Sequence, residues 1–134
     1  MKLSKPIAFG LRALLAIAKE PDKLHSVRLL TEKEGLPETL TRRCLMRLKE
    51  AGFLVAERGR MGGYKLAKAP KEISIASVIR ALEEDLNLSL GQGRRKDALY
   101  EPGKTCPTAP FWNRMEKKFW KLLEEATLAD LVSS

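Results

Sequence analysis

Apolar side chains recur three and four residues apart at the start of the chain, at Ile7, Leu11, Leu14, Leu15 and Ala18. That spacing lines one face of an α-helix; Pro6 suits its first turn and Pro21 stops it. Ser26 is a good N-cap for a short second helix with Val27 and Leu30 inward. Gly35-Leu36-Pro37 ends that helix and starts the next, with Leu36 as a buried plug. The third helix is predicted from about Glu38 to Ala51. Thr41, Cys44, Leu45 and Leu48 fall on its inner face at i, i+3, i+4 and i+7. Thr39, Leu40, Arg42, Arg43, Met46 and Arg47 are left toward solvent. Two helices joined across a glycine turn have the layout of a helix-turn-helix.

Beyond Gly52 the period changes to two. Phe53–Arg58 and Tyr64–Ala67 alternate on either side of a turn holding Gly59, Gly62 and Gly63, which reads as a β-hairpin. Its tip carries Arg58 and Arg60, with Lys65 close by. After Pro70 a fourth helix is predicted over Ile73–Leu82, packed through Ile75, Val78, Ile79 and Leu82. Residues 87–107 lack periodicity and hold glycines, prolines and the basic trio Arg94-Arg95-Lys96. A long helix follows from about Pro110 to Ala126. Phe111, Trp112, Met115, Phe119, Trp120, Leu122 and Leu123 make its apolar face too broad for one narrow stripe, as a subunit interface requires. Thr127-Leu128-Ala129-Asp130 resembles a capping box for a last short turn. The fold class expected is mainly α with one small β-hairpin. Residues 1–84 form a winged helix-turn-helix head, 85–109 a sensor-type loop, and 110–134 a dimerisation helix with a terminal turn.

Charge sharpens this picture. The chain of 134 residues carries a net charge of +8, and residues 1–70 hold 15 Lys and Arg against 7 Asp and Glu, whereas residues 71–134 hold 10 against 10. All the excess positive charge lies in the half containing the hairpin, as a nucleic-acid footprint would have it. The third helix would offer its N-terminal residues, Arg42 and Arg43 among them, to a major groove. The two cysteines, Cys44 and Cys106, make no disulfide framework, and the run Ile7–Ala18 is too short to cross a bilayer. A cytoplasmic protein without membrane contact is expected. One histidine, no Ser-His-Asp set and no P-loop leave an enzyme without parts.

These residues resemble the IscR/NsrR/CymR family of bacterial winged-helix regulators over nearly the whole chain. Met1-Lys2-Leu3-Ser4 and Ala13-Leu14-Leu15 are similar to the family's first helix, and Arg47–Leu54 to the end of its recognition helix. Arg58-Gly59-Arg60-Met61-Gly62-Gly63-Tyr64-Lys65-Leu66 matches the RGxxGGYxL wing, the most specific of these motifs. Ile73–Glu83 matches the following helix and Thr127–Leu131 the closing TLADL. The resemblance implies a homodimer, most often a repressor, on a pseudopalindromic operator in double-stranded DNA. It implies that Thr39, Arg42 and Arg43 face bases, that Arg58 and Arg60 sit at the minor groove, and that Gly62 and Gly63 let the wing turn. Phe111, Trp112, Met115, Phe119, Leu122 and Leu123 would form the dimer interface.

This chain departs from the pattern in two places. Where the family often has an aromatic-Leu-Glu-Gln run, it has Leu40-Thr41-Arg42-Arg43. Arginine prefers guanine O6 and N7 while glutamate accepts from cytosine, so the base preference changes. Pro6 and Ala8 stand at positions that are commonly basic.

Cluster-binding relatives carry three cysteines before the long helix; here only Cys106 remains, with Tyr100 and Arg94 upstream and Ala109 downstream at the other ligand positions. An iron–sulfur site needs about four soft or anionic ligands. No metal or cofactor is therefore expected. Cys106 has three open readings: a small residue without function, a redox thiol helped by Lys104, or one ligand of an unusual set with Tyr100, Asp97 or Glu101. Cys44 belongs to the core. The competing function is a winged helix used for protein contact, for instance with a metabolic enzyme, and an effector or protein partner is left open.

Overall fold

The computed structural model describes residues 3–83 and 107–134. Helices α1 (Lys5–Lys19), α2 (Val27–Glu34) and α3 (Glu38–Glu50) are followed by strands β1 (Leu54–Glu57) and β2 (Gly63–Leu66). A 3₁₀ turn at Pro70–Glu72, helix α4 (Ile75–Leu82), the long helix α5 (Ala109–Glu125) and a short α6 (Leu128–Ser133) complete the order. Among the described residues no helix is long and apolar enough to cross a membrane.

Helix α1 starts one residue before Pro6 because Ser4 caps it, its hydroxyl accepting from the Ile7 N–H at 3.5 Å. The buried face differs from the expected one. Ile7, Gly10, Ala13, Leu14, Ile17 and Ala18 are buried, while Leu11 and Leu15 are only half-buried. Small residues on this face admit close neighbours: a Cβ on Gly10 would lie 2.6 Å from Leu82 Cδ1. At the other end of α2, Gly35 takes φ +65° and the Leu36 N–H reaches the Thr31 carbonyl at 3.0 Å. Leu36 is thereby turned into the core as the expected plug.

Helix α4 begins at Ile75 rather than Ile73. Ser74 accepts from the Ser77 N–H at 3.1 Å as its N-cap, and Ile73 is extended and fully buried. Ile73 is held there by the chain's far end. Leu128 N–H donates to the Ile73 carbonyl at 2.8 Å and Ile75 N–H to the Ala126 carbonyl at 2.9 Å, around a Ser74–Thr127 bridge. The capping box is complete: Thr127 N–H donates to Asp130 Oδ2 at 2.8 Å, and Asp130 N–H to Thr127 Oγ1 at 3.4 Å. Leu128, fully buried, thus joins the same core as Ile7, Leu14, Leu45 and Leu82. The core has one centre, under α1, α3 and α4, and α6 closes it.

Candidate nucleic-acid interface

Helix α3 is fixed by its inner face. Thr41, Cys44, Leu45 and Leu48 are all buried, and the Cys44 thiol donates to the Pro6 carbonyl at 3.5 Å. Burial pushes that thiol's pKa up, so Cys44 is held as an inert core thiol. Arg47 is exposed, as expected, and its guanidinium also donates to the Leu82 carbonyl at 2.7 Å. An arginine on the last carbonyl of α4 ties α3 to that helix and satisfies an orphan acceptor. Leu40 is half-buried against the core rather than free.

Thr39, Arg42, Arg43 and Met46 also face outward on α3, all exposed. Arg43 makes no ion pair or hydrogen bond among the described residues. Arg42 does, to Glu38 Oε1 at 2.9 Å. Both partners are more than half exposed, so the pair contributes roughly 0–1 kcal/mol and opens readily. Its effect is to hold the Arg42 guanidinium forward, toward the first turn of α3. Met46 faces outward as expected, and Glu38, which the sequence pattern alone had not placed here, is part of this surface too. The i, i+4 spacing of Glu38 and Arg42 was the available signal for it.

Three residues after α3 the hairpin begins. Leu54 pairs with Leu66, Val55 with Lys65, Ala56 with Tyr64 and Glu57 with Gly63, in antiparallel register. The strands start and end about a residue from the expected bounds. A third edge was not expected: His25 N–H donates to the Tyr64 carbonyl at 2.8 Å, and Tyr64 N–H to the His25 carbonyl at 2.9 Å. The hairpin is thus tied to the segment leading into α2, which Ser26 caps by accepting from Leu29 N–H at 3.1 Å. The glycines divide the labour. A Cβ on Gly62 would fall 2.3 Å from the Glu57 carbonyl oxygen, and one on Gly63 2.4 Å from the His25 carbonyl oxygen. Gly62 lets the turn close, and Gly63 lets the third edge approach.

The tip itself is open. Arg58 and Arg60 are exposed and make no ion pair among the described residues, while Lys65 pairs with Glu57 at 3.7 Å. Two free arginines at the end of a braced hairpin, and a third on the helix before it, are suited to phosphates and groove edges.

On helix α5 only Ala109 is buried. Phe111 and Leu122 are 45 % and 64 % accessible, and Trp112, Met115 and Phe119 are half-buried. Phe111 and Trp112 stack edge to face at 5.0 Å. Leu123 and Trp120 pack against the head's core, and Arg80 lies 4.5 Å over the Trp120 ring while donating to Glu124 at 3.1 Å. Cys106, with Arg94–Lys96, Asp97, Tyr100, Glu101 and Lys104, lies outside the described residues.

Comparison with known proteins decides the family. The Rrf2 family model, described as iron-dependent transcriptional regulators, matches residues 3–134. The chain belongs to the Rrf2 family. The protein slr0846 of Synechocystis, whose name provisionally assigns it to the HTH-type transcriptional regulators, is 36 % identical over 132 residues, 98 % of this chain and 87 % of that protein. The HTH-type transcriptional regulator NsrR of Bacillus licheniformis is 28 % identical over 134 residues, covering 98 % of this chain and 92 % of its own. Among solved structures, CymR, the global cysteine regulator of B. subtilis, superposes with a TM-score of 0.79 at 25 % identity over 99 % of this chain and 97 % of its own. This Rrf2 protein is accordingly a DNA-binding transcription regulator and not an enzyme, as its sequence implied.

The family description raises iron, and the donors among the described residues do not fit it. Cys44 is buried with its thiol on a backbone carbonyl, and His25 is built into the hairpin edge with Nε2 3.1 Å from the Glu20 carbonyl. Among the described residues no three His, Cys, Asp or Glu side chains converge on a point where a metal could sit. Cys106 is the one remaining thiol in the sequence.

Proposed function

We propose that this Rrf2 protein is a homodimeric repressor that binds a pseudopalindromic operator, with α3 in the major groove and the wing at the minor groove. Thr39, Arg42 and Arg43 read bases; Arg58 and Arg60 hold the minor-groove side, on a turn that Gly62 and Gly63 permit. The observation that carries this reading is the placement of free arginines, Arg43 on α3 and Arg58 and Arg60 on the wing, on two elements whose backbones are braced by the core and by His25. Residues 1–84 serve as the reading head, 85–109 as the segment through which a signal enters, and 110–134 as the dimerisation element. The phenylalanine, tryptophan and leucine side chains left uncovered on α5 supply the dimer contact.

The test is selection of duplexes from a randomised pool by the full chain, followed by titration in salt. A log–log salt slope of about −4 or steeper is expected, since each neutralised phosphate adds roughly 0.9. A slope near zero would remove the DNA surface described here. Repeating the selection with Arg42→Glu should move one position of each half-site from guanine to cytosine, because discrimination by such contacts is worth about 1–3 kcal/mol. A uniform loss across all sequences would instead make Arg42 a phosphate contact.

The protein works without an iron–sulfur cluster in this proposal, because Cys106 alone cannot supply the ligands. Protein purified without oxygen should be colourless and free of stoichiometric iron and sulfide, and should bind the selected duplex unchanged after chelation. A brown preparation that loses DNA binding with its iron would overturn it.

A further inference from the structure

Met61 is not among the DNA-contacting residues proposed for the wing, yet its placement is specific. It is 87 % accessible, more than any other large apolar side chain among the described residues. It also sits at a corner of the wing's closing turn: Gly62 N–H donates to the Gly59 carbonyl at 3.1 Å, which makes Arg60 and Met61 the two central residues. The turn is not slack. Gly59 adopts φ +112°, and the Gly62 Cα lies so close to the Glu57 carbonyl that no side chain fits. The thioether is therefore presented outward from the same turn that carries Arg58 and Arg60, whose charges have no ion-pair partner among the described residues.

An isolated exposed methionine on a surface needs no explanation. One at the apex of a braced basic turn meets a chemical counterpart in duplex DNA. The minor groove attracts arginine, and its flexible pyrimidine–purine steps open to apolar wedges that slip between base pairs. Methionine suits that entry, being unbranched, slim and polarisable.

We propose that Met61 is a wedge, inserted from the minor-groove side at a deformable base step while Arg58 and Arg60 grip the flanking backbone. The protein thereby reads DNA deformability under each wing, at a position where α3 makes no contact. This inference rests on the wing contacting DNA.

The test uses the full chain and a duplex that the wild-type protein selects from a randomised pool. Adenines beneath the wing are replaced one at a time by 2-aminopurine, whose fluorescence rises when its stacking is broken. Wild-type protein should raise the signal at one step, and Met61→Leu should keep both signal and affinity. Met61→Ala should abolish the rise and weaken binding on the order of tenfold, the value of burying one such side chain. A second readout needs no substitution. Hydrogen peroxide transfers one oxygen to the thioether, giving the sulfoxide and water, and bound duplex should slow this reaction at Met61, read by peptide mass spectrometry.

If no duplex is enriched, the DNA-contact reading fails and the wedge with it. If a duplex is enriched and Arg58→Ala weakens binding, but Met61→Ala binds and fluoresces like wild type, the wedge alone is overturned. Equal losses in Met61→Leu and Met61→Ala would also overturn it, since an apolar wedge tolerates leucine.

Discussion

Glutamate at Phe111 and Leu122 together is expected to turn the protein into a folded monomer whose operator affinity falls by about 10²–10⁴, the factor by which two linked half-site contacts exceed one. Both side chains are among the most exposed apolar groups of the described residues. Removing them from the surface of a monomer costs its stability little, so the melting temperature at high dilution should hold. The charge order of α5 argues for how the second copy lies. Arg114, Lys117, Lys118 and Lys121, with Glu116 as the one acid among them, come first and Glu124 and Glu125 last, with no acid in the first turn and no base in the last. An isolated helix prefers the reverse, acids at the N-terminus and bases at the C-terminus. Two copies crossing antiparallel set the basic part of one against the acidic end of the other, which removes the conflict. Light scattering and a titration of the selected duplex check both parts. A double variant that remains dimeric would move the interface away from this face of α5.

The parts of this protein that were legible in its sequence are those that carry their own period. The inner face of α3, through Thr41, Cys44, Leu45 and Leu48, repeats at helical spacing, and the hairpin alternates around glycines. Legibility failed where a contact had no period. The His25–Tyr64 pairing involves one residue of a connecting segment, and nothing local marks His25 as a strand edge. In α1 the large residues Leu11 and Leu15 drew attention, whereas Gly10 and Ala13 lie on the buried face because α4 approaches there. Hydrophobicity alone does not register that closeness. For Arg47 the helical phase was right, since it is exposed, but its partner was not legible: the carbonyl it serves belongs to Leu82, 35 residues away. The capping box at Thr127 was readable, while its purpose, seating Leu128 in the head's core, was a long-range fact. For the interface itself, residue type announced the arginines, and the i, i+4 spacing to Glu38 was the one local sign that Arg42, unlike Arg43, has a partner.

Alanine at both Arg58 and Arg60 should weaken operator binding by about 2–6 kcal/mol, at roughly 1–3 kcal/mol for each arginine, with the melting temperature unchanged. Neither guanidinium makes an ion pair or hydrogen bond with another described residue, so little internal interaction is lost. The salt slope should flatten by about one for each arginine that neutralises a phosphate. A narrow minor groove concentrates negative potential, so the loss should be largest on operators with A·T-rich flanks. Gly63→Ala supplies the contrast, because it leaves every charge in place. Its Cβ would stand 2.4 Å from the His25 carbonyl oxygen, backbone against backbone, so the third edge must separate from the hairpin. That variant should lose both stability, about 1–3 kcal/mol for disrupted and unsatisfied backbone groups, and operator affinity. Thermal melts beside duplex titrations separate the cases. If the arginine pair melts as early as Gly63→Ala, the tip is structural. If Gly63→Ala melts early but binds as wild type, DNA contact does not depend on the His25 brace, and the wing acts through charge alone.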